Sequence, residues 1–479
     1  MELLTRKALK QLSKNQLIEI ILMQQEQLVQ IKEMMQKQID MLTAENKELR
    51  RRIAKLEKDS NNSSKPPSTD IKKQNSNKPK RNQTLRKTSN NKPGGQPGHK
   101  GTTRKQTPNP DNIELCEPHT YCSCCGGSLE NIMGNIVEKR QVVDIPPINP
   151  TVTEYQAIEK VCTCGHHNRG TFPEGVNAPM QMGSSIQSFL VYLNVAQVIP
   201  FKRLKNLCSD LFNLNISKRT IENILEKANV KGKSVKEEIL NIVKNSEWVG
   251  SDETGKRVEG KRWWEWVWQS LKATIYVVDK CRGYCVVKSN FGEDFKGILI
   301  HDCWSAQNNT RASGHQQCHA HIQRELQFLI GTYKSSWAYE LDKFLGATQR
   351  ARIKIWKEDF DDDLREQVRA QYEQRFDSLL NSLQTEPDIV RLQKRLKKHR
   401  KSILRFMYHP DIPFHNNSSE QAIRMAKVKQ KISGCFRSEH AAHRHATLLS
   451  IIETAKKQNM NILLAIQNLF SGTLVFQST

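Results

Sequence analysis

Apolar residues recur seven apart near the start of the chain, at Ile21, Leu28, Met35, Leu42, Leu49 and Leu56. Leu17, Ile31, Ile39 and Ile53 widen the stripe, and Gln, Lys and Glu fill most other positions. Neither Gly nor Pro interrupts the repeat, which predicts one continuous helix over residues 1–58. A heptad with flanks this polar reads as a coiled coil that associates with copies of itself, in preference to an amphipathic helix packed on its own domain. Pro66 and Pro67 must end it. Residues 59–112 then lose nearly all apolar positions. A helical period returns over 180–240, with a helix at 203–212, a turn around Asn213-Leu214-Asn215 and a second helix opened by Ser217. Leu204, Leu207, Leu211, Ile221 and Ile224 would bury between the two. This is helix-turn-helix spacing, which many helical hairpins that bind nothing share.

From residue 247 the period drops to two. "EWVGSDE", "RWWEWVWQS" and "ATIYVVDK" read as three strands, the first expected to stop near Asp252. "KGILIHDCWSAQ" follows as a fourth, apolar enough to be buried on both faces, and ends in Asp302. Trp264, Trp266 and Trp268 sit at strand spacing and read as core, not as a base-stacking platform. Three consecutive strands, a helix and a buried strand is the order of a ribonuclease-H-like sheet. The chain is thus expected to be a multidomain α+β protein.

Charge narrows the partners. The 479 residues carry 74 Lys and Arg against 50 Asp and Glu, a formal charge of +24. Such an excess favours a polyanion, most simply nucleic acid. Residues 71–105 hold eleven Lys and Arg and no acid, which predicts a disordered arm along DNA phosphates, with Lys78, Lys80, Arg81, Arg86 and Lys87 as contacts. Lys218 and Arg219 at the second helix start, and Arg424, Lys427 and Lys431 further on, extend the candidate surface. No stretch is long and apolar enough to span a membrane, and the N-terminus lacks the apolar core of a secretion signal. Twelve cysteines without such a signal suggest a reducing compartment, where clustered cysteines more often bind metal than pair.

Two clusters carry candidate chemistry. Cys122 and Cys125 form a C-x-x-C knuckle, and Cys162 and Cys164 a tighter C-x-C pair, each pair followed by Gly. Four thiolates so spaced predict a zinc ribbon over 113–172, in which His166 or Cys124, less readily His119, could replace one ligand. Asp252 and Asp302, at the ends of adjacent central strands, would repel each other unless a cation sat between them. Magnesium or manganese suits such ligands and can drive phosphoryl transfer, given a third carboxylate. Glu420 is the best candidate, in the first turn of a helix that Ser418 or Ser419 can cap. Glu253 would face the other side of its strand and tolerate replacement. Cys318, His319, His321 and Arg324 invite a second metal reading, but read more readily as packed or phosphate-facing. His440, His443 and His445 read as a DNA-facing or solvated surface.

These residues, with "SSKPPSTD", "GGQPGHKG", "SDETG", "CHAHIQREL", "NNSSEQAIR" and "SGCFRSEHAAHRHATLLSIIETAKKQNMN", resemble the transposases of insertion sequence 66 elements over essentially the whole chain. The resemblance implies a DDE transposase with Asp252, Asp302 and Glu420 as catalytic metal ligands. It implies a catalytic core over 245–303 and 417–470, interrupted by a helical insertion over 304–416. It further implies double-stranded DNA as partner (terminal repeats and target), the element's accessory proteins as candidate partners, and a place at the bacterial nucleoid in the cytoplasm. The chain departs from the family pattern at Gly255, at Gln421, around Asp302 and in its C-x-C pair. The rival reading is a non-catalytic, zinc-containing DNA-binding regulator derived from such an enzyme.

Overall fold

The computed structural model describes residues 11–56, 98–101, 104–146, 148–356 and 360–478. Helix α1 (Lys14–Leu56) carries the heptad through 43 helical residues but begins later than the expected helix over 1–58, since residues 11–13 are not helical; 1–10 and 57–58 lie outside the described residues. Its apolar stripe stays open to solvent, with Leu28 65%, Met35 58% and Leu42 58% exposed. Lys78, Lys80, Arg81, Arg86 and Lys87 lie outside the described residues. Among the described residues no helix is long and apolar enough to cross a membrane.

The described residues pack as two compact units, the smaller drawn from within Arg81–Glu174 and from Asn206–Asn215. Its regular structure is slight. Strands β1 (Glu159–Val161) and β2 (His167–Arg169) pair antiparallel, and Tyr121 bridges to Ser128. Each of these tight reversals carries a Cys pair.

The larger unit is built on a five-stranded sheet of order β5-β4-β3-β6-β7. Helix α2 (Lys218–Lys244) precedes it, capped by the Ser217 side chain as the sequence predicts. The helix is longer than a recognition helix needs to be and buries Ile221, Ile224, Leu225, Ala228 and Val235, so most of it belongs to the core. Strands β3 (Trp248–Val258), β4 (Lys261–Gln269) and β5 (Thr274–Asp279) form an antiparallel meander. Strand β6 (Asp294–His301) runs parallel to β3, and β7 (Arg311–Gln317) parallel to β6. Residues 311–317 thus extend the sheet and do not belong to a helical insertion, a correction to the expected boundary at 304. "RASGHQQ" is polar and short, and only its pairing with β6 makes it a strand.

Helix α3 (His319–Tyr333) leaves the end of β7 and opens the helical segment that follows. Trp248, Ile298 and Ile300 of the sheet share one apolar core with Ile322, Leu326, Phe344 and Phe376 of that segment. The chain returns through α4 (Asn417–Ser433) and α5 (Glu439–Lys457). Helix α5 covers the free edge at β5. Ser450 accepts from the Tyr276 amide (2.9 Å) and Thr454 from the Thr274 amide (3.1 Å), the outward N–H groups that a sheet edge otherwise leaves open. Trp266 and Trp268 are fully buried with rings stacked at 5.8 Å, which places them in the core, in agreement with their spacing.

Candidate active site

Asp252 does not end its strand. It lies within β3, still paired to Val267 of β4, but just past the last residue paired to β6. Trp248 faces Ile298 and Gly250 faces Ile300, an offset of fifty that brings Asp252 level with Asp302 on parallel neighbours. Asp302 follows the last residue of β6. There the chain turns through Cys303 in a left-handed conformation (φ 72°), which a non-glycine residue holds only when its surroundings enforce it. The surroundings are visible. His301 Nδ1 accepts from the Cys303 amide (3.0 Å), Asp302 accepts from the Trp304 amide (3.1 Å), and His301 pairs with His315 on β7 (3.0 Å).

Glu420 is brought in by α4. The helix start is stitched to β3 and β4 by side chains. Asn416 Nδ2 donates to the Ser251 carbonyl (2.7 Å), and Gln269 Nε2 donates to Ser418 Oγ (2.6 Å) and Ser419 Oγ (3.3 Å). The sequence pattern casts these serines as caps. Asn416 is the cap residue instead, without a side-chain cap bond, and the hydroxyls serve the docking. Gly250 permits it, since a Cβ there would lie 2.4 Å from Ser419 Oγ and 2.8 Å from Asn416 Oδ1.

The three carboxylates feel one another. Burial pushes the Asp252 carboxyl well above its usual range, and the charges of Glu253, Asp302 and Glu420 push it further. Glu253 does occupy the opposite side of the strand, but it is not the free residue expected. It is 3% exposed, takes Arg282 Nη2 at 2.6 Å and Gln307 Nε2 at 2.7 Å, and is held at about 7 by burial and Asp302. Arg282 in turn lies 3.8 Å over the Trp304 ring. Neither Arg282 nor Gln307 has a signal in the sequence, because each meets Glu253 only through the fold.

Helix α3 supplies the positive side. Cys318, His321 and Glu420 offer ligand atoms within 4.8 Å of one another. Asn416 N–H donates to Cys318 Sγ (3.2 Å), and Arg324 approaches Glu420 at 3.4 Å. Although burial disfavours its charge, Cys318 and Asp302 raise the His321 imidazole to about 9. His319 leaves this group and bonds to the Ile403 carbonyl (2.8 Å).

Other candidate residues separate. Lys218, Arg219, Arg424 and Lys431 all reach the surface as exposed residues. Lys427 is half-buried, donates to the Gly255 carbonyl (2.7 Å) and is held at about 8 by burial. His445 is buried, which corrects its reading as part of a DNA-facing or solvated surface, whereas His440, paired with Glu226, and His443 stay exposed. In the smaller unit, Gly126 (φ 70°) and Gly165 (φ 84°) turn each Cys pair, a conformation that favours glycine. The Cys125 and Cys124 amides hold the Cys122 thiol below its ordinary range, and the Cys164 amide does the same for Cys162. Among the described residues, the two pairs are not drawn into one four-sulfur cluster.

Residues 179–444, more than half of the chain, match the model of the Transposase IS66 family. The chain belongs to the IS66 transposase family. Residues 119–165 match the zinc-finger binding domain of transposase IS66, and 14–105 match a family of unknown function, DUF6444. The chain is 28% identical over 152 residues to the uncharacterized protein y4jO of Sinorhizobium fredii (strain NBRC 101917 / NGR234), covering 28% of this chain and 47% of that protein. It thus spans about half the length of the curated relative it matches. The IS66 zinc-finger match runs through both Cys pairs, Cys122 with Cys125 and Cys162 with Cys164.

Proposed function

We propose that the chain is a DDE transposase with a ribonuclease-H-like core, acting on double-stranded DNA at the ends of its own element and at a target. The observation that carries this reading is the juxtaposition of Asp252 with Asp302 across two parallel strands, with Glu420 docked beside them. The strand order supports it, being three antiparallel strands followed by two parallel ones on the other side of β3.

A divalent cation fits this site. Asp252, Asp302 and Glu420 are each half-buried, and the rise in the Asp252 pKa reflects, beside burial, the repulsion from neighbouring carboxylates that a cation would relieve. Asp252, Asp302 and Glu420 would hold Mg²⁺ or Mn²⁺. The bound ion would supply charge that lowers the pKa of an attacking oxygen and offsets charge on the leaving one. The protein's own groups set the geometry. Arg324 and His321 restrain the Glu420 carboxylate, and Arg282 with Gln307 keeps Glu253 on the far side of the strand. Hydrolysis at the element end frees a 3′-hydroxyl, which attacks a phosphodiester of the target. One such bond breaks as another forms, so joining needs no external energy source.

The same reading gives the remaining parts their roles. Cys122, Cys125, Cys162 and Cys164 would hold one structural zinc, since the donor set and the N–H···S bonds suit thiolate ligands. Helix α1 would join copies of the chain through its open stripe. The metal content of purified protein checks the first role, and sedimentation over a range of concentrations the second. The helix pair at 201–244 and the cations Lys218, Arg219, Arg424 and Lys431 would contact terminal repeats at the nucleoid.

A strand-transfer assay with labelled element ends tests the reading. Asp252→Ala, Asp302→Ala and Glu420→Ala should each lower cleavage and joining by at least about a thousandfold, because ligands of one centre act as a unit. DNA affinity should stay within a few-fold, since it rests on Lys and Arg. Wild-type protein that binds ends but never cuts them would favour the non-catalytic regulator instead.

A further inference from the structure

The carboxylate site accounts for the middle of β3. At the C-terminal end of the strand, beyond Gly255, lies a cavity of about 630 Å³ between the start of α2, the C-terminal turn of α4, the 434–438 loop and α5. Its wall is largely apolar, and its charged residues are nearly all cationic. Lys202, Lys218, Arg219, Arg257, Arg437 and Arg444 reach it, and Glu222 is its one carboxylate among the described residues. Glu222 lies 3.8 Å from both Arg219 and Arg444, and Arg444 also meets Glu226 at 3.1 Å. Among the described residues no carboxylate pairs with Lys202, Lys218, Arg257 or Arg437. Unpaired cations around a concavity call for an anion.

The cavity is larger and more apolar than a bare phosphate requires. Phe201, Ile432, Phe436 and Leu448 form part of its wall. Phe436 is fixed by the backbone. Its amide donates to the Arg257 carbonyl (3.0 Å) and its carbonyl accepts from the Glu259 amide (2.8 Å), which extends β3 by a bridge. His445 supplies an independent sign of a missing occupant. It is 6% exposed, lines the cavity 5.3 Å from the Phe436 ring, and neither ring nitrogen has a hydrogen-bond partner. Two orphaned nitrogens on a buried side chain are costly unless something meets them. Burial among Lys256, Lys429 and Arg444 keeps this imidazole neutral, so it presents one donor and one acceptor, as the edge of a base does.

We propose that this cavity receives one unpaired nucleotide of a DNA strand, its phosphate among Lys218, Arg219, Arg257 and Arg437, its base against Phe436 with His445 at its edge. The volume, the apolar wall and the orphaned imidazole select a nucleotide over a phosphate alone. The inference rests on DNA being the partner, but not on the carboxylates being catalytic.

The test uses the full-length protein without divalent cation, so that no strand is cut. Two duplexes of one sequence are compared, one fully paired and one with a single unpaired 2-aminopurine. Wild type should bind the second about tenfold more tightly, the scale of one base stack. The 2-aminopurine emission should change as its stacking partner becomes protein. His445→Gln and the double variant Arg257→Ala/Arg437→Ala should each remove most of that preference while binding paired duplex within a few-fold of wild type. Deoxyadenosine monophosphate should compete for the increment alone. Equal affinity for both duplexes with unchanged emission overturns the proposal. So do variants that weaken both duplexes alike, and a monophosphate that binds where the unpaired duplex gains nothing. Failure of wild type to bind either duplex overturns the DNA reading itself, a different result from loss of the preference.

Discussion

At the scale of single residues, Asp252 and Glu253 show how adjacent carboxylates acquire different surroundings. Pleating sends them to opposite faces, and the fold surrounds Glu253 with Arg282 and Gln307. Glu253 titrates near 7 against an ordinary 4.5, so the folded state holds its proton more tightly than the unfolded chain does. Its contribution to stability is present below pH 4.5 and is lost as the pH rises towards 7. Glu253→Gln removes that titration and keeps the volume. The variant should therefore gain stability relative to wild type as the pH rises across this window, measured as paired denaturant titrations in metal-free buffer. A difference that stays flat with pH would place the Glu253 charge in water.

At the scale of elements, the contact that matters most is between β3 and the first turn of α4. Gly250 lets the helix approach until Asn416 reaches the Ser251 carbonyl, and Glu420 rides on that docking. A side chain at 250 must displace Asn416, Ser419 or Gln269. Gly250→Val should cost about 1–3 kcal/mol of stability, as overpacking does. It should also reduce strand transfer at least about tenfold, because small misplacements of a catalytic group are expensive. Paired-duplex affinity should change little. Thermal denaturation, the joining assay and a binding titration together check this, and full activity in a folded variant would show that Glu420 does not depend on the docking.

At the scale of the molecule, charge governs association. The +24 excess is spread over the chain, but residues 71–105 carry eleven cations without an acid. Deleting them should weaken DNA binding and flatten its dependence on salt, by about 0.9 in the log–log slope for each phosphate that the segment neutralises. Affinity measured over a salt series decides it, and an unaltered slope would mean that the segment does not touch phosphate. The same excess makes a cation at the carboxylates necessary only locally, since the net field already attracts DNA to the surface.

Properties that depend on local order along the chain were legible without the fold. The heptad of α1, the three alternating strands, the turn glycines beside the Cys pairs and the Ser217 cap each follow from neighbouring residues. Asp252, Asp302 and Glu420 were also legible, as strand and helix positions, although the strand runs on past Asp252. Tertiary structure decided what depends on contacts between distant segments. Strand β7 is polar and exists through its pairing with β6. Lys427 and His445 sit at amphipathic helix positions that pattern alone reads as surface, yet a bond to the β3 backbone holds one and packing beside Phe436 buries the other. Arg282, Gln307 and Cys318 reach the carboxylates from segments separated by many residues. A side chain's periodicity records which face it occupies, whereas its charge partners are chosen only when those faces meet.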